Sequence, residues 1–255
     1  MVKELVGAPI RFLMHYAGMR NLTVKQTDAV AKGIYGVQVC RTRYIDDTVQ
    51  AALSQGIEQL VILGAGFDTR SYRLPGVEHV KVFEADLPAV QEDKVKKIQR
   101  YFGRSPEHVT FVPIDFDRQS VETIFAGTVF DSSRPAAFIW EGVTQYITEE
   151  AASLTLSFIG KSAPGSTMAF TYVLKSIIER CSDVPGADKL MDTAAKSAPW
   201  IFGLEPSSLQ AYLQPFHLAL VADVGHTDYK KTYLEPLGRN LAVFEGERIA
   251  VANVE

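Results

Sequence analysis

The sharpest chemical signal in the chain is Leu63-Gly64-Ala65-Gly66-Phe67-Asp68-Thr69-Arg70. Two glycines directly after an apolar run let the backbone approach a ligand closely, because no Cβ holds it off. The third glycine of the dinucleotide fingerprint is absent, and Thr69 stands in its place. A pyrophosphate needs the close helix–strand packing that this glycine permits; a nucleoside with an amino-acid tail does not. A glycine pair alone is as readily an ordinary tight turn. The acidic residues downstream change the balance. Asp86 follows a second apolar run about 20 residues on, where a carboxylate accepts from ribose hydroxyls. Asp115 follows a third run and is placed to accept an adenine amino group, with Phe116 beside it as an apolar face for the base. Glu141 follows a fourth and is placed to meet a ligand amine. Any one of these reads equally well as a helix cap. Together, at the ends of successive strands, they read as a binding edge.

The elements that would position these residues are legible as a rhythm. Leu60–Leu63, Val80–Phe83, Val109–Ile114, Ala136–Trp140 and Met168–Val173 are short apolar runs of the kind buried on both faces of a parallel sheet. Helical patterns separate them. Pro88 opens a charged helix to about Tyr101, and Thr148-Glu149-Glu150 caps another through Ile159. Upstream, Val2–Val30 reads as two helices with a break near Gly18–Asn21, and Arg43–Leu53 as a further helix closed by Gly56. Pro185, Gly186, Pro199, Trp200 and Pro206 break the rhythm over 175–213, which reads as an insertion over the site. Leu218–Val221 and Leu241–Ala252 are the last strands, and Leu237-Gly238-Arg239-Asn240 suggests a hairpin-like ending with the final strand antiparallel. The expected fold is α/β: one Rossmann-like domain with a mostly parallel, doubly wound sheet. Its parts are N-terminal helices (1–56), a core (57–174 and 214–255) and the insertion.

Composition narrows the partners. The chain has 255 residues, 47% hydrophobic and 22% charged, which is ordinary globular balance. A net charge of −4 lacks the basic excess that phosphate neutralisation requires, so nucleic acid is not an expected partner. No run is long and apolar enough to span a membrane. Met1–Arg20 carries scattered charges and no uninterrupted apolar core, so it does not read as a signal peptide. Cys40 and Cys181 form no metal-ligand pair and fit a reduced, cytoplasmic setting. The histidines 15, 79, 108, 217 and 226 show no ligand spacing, so no metal is expected. His226 is a candidate base that reads better as a solvated loop residue. The run Glu92-Asp93-Lys94-Lys96-Lys97 reads as a solvated helix face.

Three longer stretches carry a resemblance. Val61–Arg70 with Tyr72-Arg73-Leu74 and Phe83–Val90 resembles the leucine carboxyl methyltransferase family, whose bacterial members include the polyketide O-methyltransferase-like proteins. Trp140-Glu141-Gly142-Val143-Thr144-Gln145-Tyr146-Ile147-Thr148-Glu149-Glu150 looks like the family's second signature, and Arg41-Thr42-Arg43-Tyr44-Ile45-Asp46-Asp47 like its upstream arginine motif. The likeness runs from about Tyr35 through Val173 and resumes over Tyr233–Phe244.

The resemblance implies S-adenosyl-L-methionine as cofactor and methyl transfer to an oxygen of a small-molecule acceptor. It implies that Arg41 pairs the methionyl carboxylate, a task suited to a guanidinium fork. Gly64, Ala65 and Gly66 then line the methionyl and ribose portion, Asp86 takes the ribose, Asp115 and the Phe116 backbone take the adenine, and Glu141 sits near the methionyl amine. Tyr146 either faces the acceptor pocket or packs in the core with a bonded hydroxyl. Family members usually carry a longer segment before the helix that corresponds to Val6–Tyr16, and this chain starts inside it. Two other readings stay open: a nicotinamide-dependent oxidoreductase, against which the missing glycine counts, and a non-catalytic cofactor-binding member of the family.

Overall fold

The computed structural model describes residues 17–255. The helix expected over Val6–Tyr16, and the departure noted there, lie outside the described residues. Helix α1 (Ala17–Val30) runs through Gly18–Asn21, so the expected break is absent. One glycine costs a helix only about 1 kcal/mol, which its neighbours can supply. Helix α2 (Ile34–Ser54) begins well before the expected Arg43, at a Gly33 with φ 91°. Its early part contains Gly36. Here it is a contact point: a Cβ on Gly36 would sit 1.9 Å from the Ala242 carbonyl oxygen.

Seven strands form one sheet: β1 (Gln59–Leu63), β2 (Lys81–Asp86), β3 (Val109–Pro113), β4 (Ala136–Trp140), β5 (Thr167–Val173), β6 (Leu218–Val224) and β7 (Glu247–Val254), in the order β3-β2-β1-β4-β5-β7-β6. The first five pair in parallel, and β7 runs antiparallel to both β5 and β6. The final strand is therefore antiparallel as expected. It starts at Glu247, not Leu241, and 225–246 is a long connection holding a short helix (His226–Tyr229) and further helical turns, not a hairpin. The segment before β7 is fixed instead by backbone pairing: the Phe244 N–H donates to the Gly33 carbonyl at 2.9 Å.

Every residue of β1 and β4 is buried. Alternate side chains therefore feed two cores. Val61, Leu63, Phe83 and Ala85 pack with Phe125, Leu156 and Ile159, which come from α5 (Val121–Ala126) and α6 (Glu149–Gly160). Leu60, Ile62 and Val82 pack with Val37, Ile45, Val49 and Ala52 of α2. The Thr148 hydroxyl accepts from the Ala151 N–H and caps α6 as expected. The segment 175–213, expected as an insertion over the site, contributes to the core, because Leu209 and Leu213 reach the first core and are fully buried.

Strand order reverses between β1 and β4, since β2 and β3 lie to one side and β5 to the other. A crevice opens outside the carboxyl ends at such a switch point. Helix α3 (Arg70–Arg73) follows β1 there, and α4 (Pro88–Phe102) follows β2.

Candidate functional site

The turn after β1 folds as its glycines require. Gly64 has φ 68° and Gly66 φ 38°, both in the left-handed region that a side chain opposes. A Cβ on Gly64 would lie 2.1 Å from Val143 Cγ2. The Ala65 N–H donates to the Ala85 carbonyl at 2.9 Å, and the Gly66 N–H donates to Asp86 Oδ2. Asp86 thus closes the turn against the end of β2, while its Oδ1 accepts from the Leu87 N–H at 2.6 Å. Each carboxylate oxygen keeps a further lone pair for an outside donor.

A cavity of about 340 Å³ lies over this turn, lined among others by Arg41, Gly64, Ala65, Gly66, Asp68 and Glu141. The sequence separates Arg41 and Glu141 by 100 positions, and the fold brings Arg41 Nε to 2.7 Å from Glu141 Oε1. Arg41 Nη1 meets Glu247 Oε1 at 2.6 Å. Its Nη2 has no acceptor among the described residues and lies near Gly142, where φ is 70° and a Cβ would come within 3.9 Å. Arg43, two positions along α2, points outward and pairs Asp47.

Glu141 is bridged from its other side. Arg70 Nη1 reaches Glu141 Oε2 and Asp68 Oδ2, each at 2.6 Å, while Arg70 Nε reaches Asp46 Oδ1 at 2.7 Å. Arg73 grips Asp46 with two nitrogens, at 2.6 and 2.8 Å. Burial works against the Glu141 charge, but Arg41 and Arg70 outweigh it and hold its carboxyl below the usual range. Burial likewise opposes the charge on Arg41, and Glu247 and Glu141 more than offset it. Among the described residues the cluster holds three guanidiniums (Arg41, Arg70, Arg73) and four carboxylates (Asp46, Asp68, Glu141, Glu247), an excess of one negative charge.

The other expected residues lie elsewhere. Asp86, Asp115 and Phe116 do not line the cavity, and Asp86 reaches its edge only through the bond from the Gly66 N–H. Asp115 accepts from the Asp117 N–H and approaches Arg118 at 3.5 Å, and Phe116 packs on the first core. Tyr146 is half exposed, with its ring edge-on to Trp200 at 6.5 Å, so it is not a core residue. Lys94 corrects the reading of its helix as a solvated face. It falls with Gln91 and Ile98 on the inner side of α4, is 1% exposed, and pairs Glu84 at 2.7 Å. Lys96 and Lys97 do stay on the outer side, paired with Glu92 and Asp93.

Asp46, Asp68, Arg70, Arg73 and Glu247 had no assigned role from sequence. Four of them lie inside the motifs quoted above, and that was the signal available. Glu247 lies in none of them. Among the described residues no His, Cys, Asp and Glu gather as a metal cluster, and no helix is long and apolar enough to cross a membrane.

Comparison with known proteins decides the family. Residues 3–160 match the family described as leucine carboxyl methyltransferase. The chain belongs to that family. A Streptomyces coelicolor protein, whose name gives it provisionally as an S-adenosyl-L-methionine-dependent methyltransferase, is 35% identical over 153 residues, covering 58% of this chain and 53% of that relative. A Mycolicibacterium gilvum protein named in the same way is 37% identical over 134 residues, covering 52% and 43%. The chain thus spans about half the length of the curated relatives it matches. Two solved structures share the class I methyltransferase fold. One comes from Thermobifida fusca and is described provisionally as a methyltransferase, with a TM-score of 0.67, 16% identity, and coverage of 94% of this chain and 89% of that one. The other is magnesium protoporphyrin IX methyltransferase from Synechocystis with bound SAH, with a TM-score of 0.55, 13% identity and coverage of 86% and 85%.

Proposed function

We propose that this family member is an enzyme that binds S-adenosyl-L-methionine and transfers its methyl group to an ionised oxygen, most simply a carboxylate, of a small molecule. The observation that carries the cofactor reading is the charge of the site. An ion-pair cluster with one excess negative charge suits a ligand whose sulfonium, ammonium and carboxylate sum to one positive charge. The same cluster repels the pyrophosphate of a nicotinamide dinucleotide, and no third glycine opens α3 to receive one.

The residues present fit the cofactor. Gly66 has no Cβ over the cavity, and the nearest atom a Cβ there would meet is Asp86 Oδ2 at 4.0 Å. In this reading Arg41 receives the amino-acid carboxylate through its Nη2, which has no acceptor among the described residues, and Glu141 faces the ammonium. Asp86 accepts from the ribose, and Asp115 with Phe116 stands at the adenine end. When bound, the cofactor supplies a methyl group already activated by positive sulfur, so the protein's task is orientation and exclusion of water.

The cavity supplies no convincing base. Among the described residues its carboxylates, Asp68 and Glu141, are engaged by arginines, and no histidine lines it. A paired carboxylate accepts a proton poorly at neutral pH, so the acceptor oxygen must arrive ionised. The test is transfer of isotopically labelled methyl from the cofactor to a panel of carboxylic acids, phenols and alcohols, read by mass spectrometry. Methyl esters that hydrolyse in mild alkali are expected. Labelling confined to nitrogen acceptors would overturn the oxygen assignment. Tight cofactor binding with no labelled product across the panel would favour the non-catalytic reading.

A further inference from the structure

Lys94 of α4 and Glu84 of β2 form a wholly buried ion pair: Nζ lies 2.7 Å from Oε2, and the side chains are 1% and 0% exposed. Taking two charges out of water costs about as much as their attraction returns, so such a pair does little for stability by itself. Its further bonds show what else it does. Glu84 accepts from the Ser71 hydroxyl at 2.5 Å and from the Tyr72 hydroxyl at 3.1 Å, both on α3. The Lys94 ammonium, which carries three donors, also reaches the Ala65 carbonyl oxygen at 3.4 Å. The pair thus ties the turn after β1, and the helix that follows it, to β2 and α4.

The Ala65 carbonyl and the Gly66 N–H belong to one planar trans peptide, so they point in opposite directions. The N–H goes to Asp86 Oδ2 and the carbonyl goes to Lys94. Turned over, the same peptide would set its carbonyl against the Asp86 carboxylate and its N–H against the ammonium. Gly66, at φ 38°, is free to take either orientation, so the two charges decide between them. Asp86 in turn reaches the cavity edge only through the Gly66 N–H. We propose that Lys94 is a positioning residue: it fixes the Ala65–Gly66 peptide, and through that peptide the carboxylate that takes the cofactor's ribose. This rests on the cofactor reading above. Lys94 does not line the cavity, and its effect passes through one peptide.

The experiment is calorimetric titration of the wild type, Lys94→Met and the double variant Glu84→Gln/Lys94→Met. Two probes are used: adenosylhomocysteine, and its 2′,3′-dideoxy analogue, which lacks the ribose hydroxyls. Burial pushes the Glu84 carboxyl up even with Lys94 and Ser71 donating to it, so in Lys94→Met it takes a proton rather than standing as a lone buried charge. The double variant removes both charges and repeats the test without that proton. The wild type is expected to prefer adenosylhomocysteine. Both variants should weaken it by about tenfold, the scale of one misplaced hydrogen bond to a charged group, and leave the analogue within about twofold. A general loosening of the fold would weaken both probes alike. A preference unchanged in both variants, or an equal loss for the two probes, would overturn the inference. A wild type that binds the two probes equally would overturn it too, because Asp86 would then not hold the ribose. A wild type that binds neither would fail the cofactor reading itself.

Discussion

Arg41 and Arg43 lie two positions apart on α2, and helix geometry turns them away from each other. Arg41 is 17% exposed and faces the cavity, whereas Arg43 is 66% exposed and pairs Asp47 four residues along. Arg41→Lys keeps the charge and loses the planar fork, so it should weaken adenosylhomocysteine binding by about 1–3 kcal/mol. Arg43→Lys should stay within about 0.5 kcal/mol of the wild type, as surface changes do. Isothermal titration decides between them, and a larger loss at Arg43 would reassign the carboxylate contact. Asp86 and Asp115 also part company. Asp86 receives the Gly66 N–H, so Asp86→Ala should lower both melting temperature and affinity, whereas Asp86→Asn, which keeps an acceptor oxygen, should spare stability more than binding. Asp115→Ala should leave the melting temperature almost unchanged, since its partners are local and exposed, and weaken binding if the adenine end lies there. The strand-end positions of Asp86 and Asp115 were legible because each follows an apolar run. Glu247 was not, because the Arg41–Glu247 pair spans 206 positions and no local pattern encodes it.

Among the elements, α2 and the segment before β7 show how small residues place charged ones. Gly36 lets the Ala242 carbonyl pass, and the Gly33 carbonyl receives the Phe244 N–H; together these set the start of β7 so that Glu247 meets Arg41. Gly36→Ala puts a methyl group against backbone that cannot rotate away. It should destabilise by about 1–3 kcal/mol, the usual cost of overpacking, and weaken cofactor binding more than a surface glycine change of equal cost to stability. Thermal melts and titration of Gly36→Ala beside Gly56→Ala make the comparison, because Gly56 has open space around its Cβ direction and a φ of 88°. Equal binding in the two variants would detach the Gly36 contact from the site. Because burial on both faces gives continuous apolar runs, the five parallel strands were legible to within a residue or two, except that β2 runs three residues past the expected Phe83 to Asp86. The starts of α2 and β7 were misplaced for one reason. Gly36 and the stretch Leu241–Gly246 take their conformations from each other, a long-range contact that local propensity does not contain.

At the scale of the whole molecule, the site is a junction where α2, the turn after β1, the end of β4 and the start of β7 meet through charge. Glu141 is the shared member, and its carboxyl is held below the usual range by Arg41 and Arg70. A carboxylate depressed in the folded state contributes stability that is complete above its unfolded value, about 4.3, and is lost as pH falls through the lower folded value. The wild type should therefore lose melting temperature steeply below about pH 4. Glu141→Gln should be less stable at neutral pH by about 3–5 kcal/mol, since it leaves two buried guanidiniums short of a partner, and should show a shallower acid slope. A Glu141→Gln acid slope as steep as the wild type would show that this junction does not govern acid stability. The central claim is that the cavity over Gly64–Gly66 receives the nucleoside and amino-acid tail of S-adenosyl-L-methionine. A crystal structure of the protein grown with adenosylhomocysteine tests it most directly. The ligand is expected in that cavity, with its carboxylate on Arg41, its ribose on Asp86 and its ammonium toward Glu141. A ligand lodged elsewhere, or one in the cavity with its carboxylate turned away from Arg41, would contradict it.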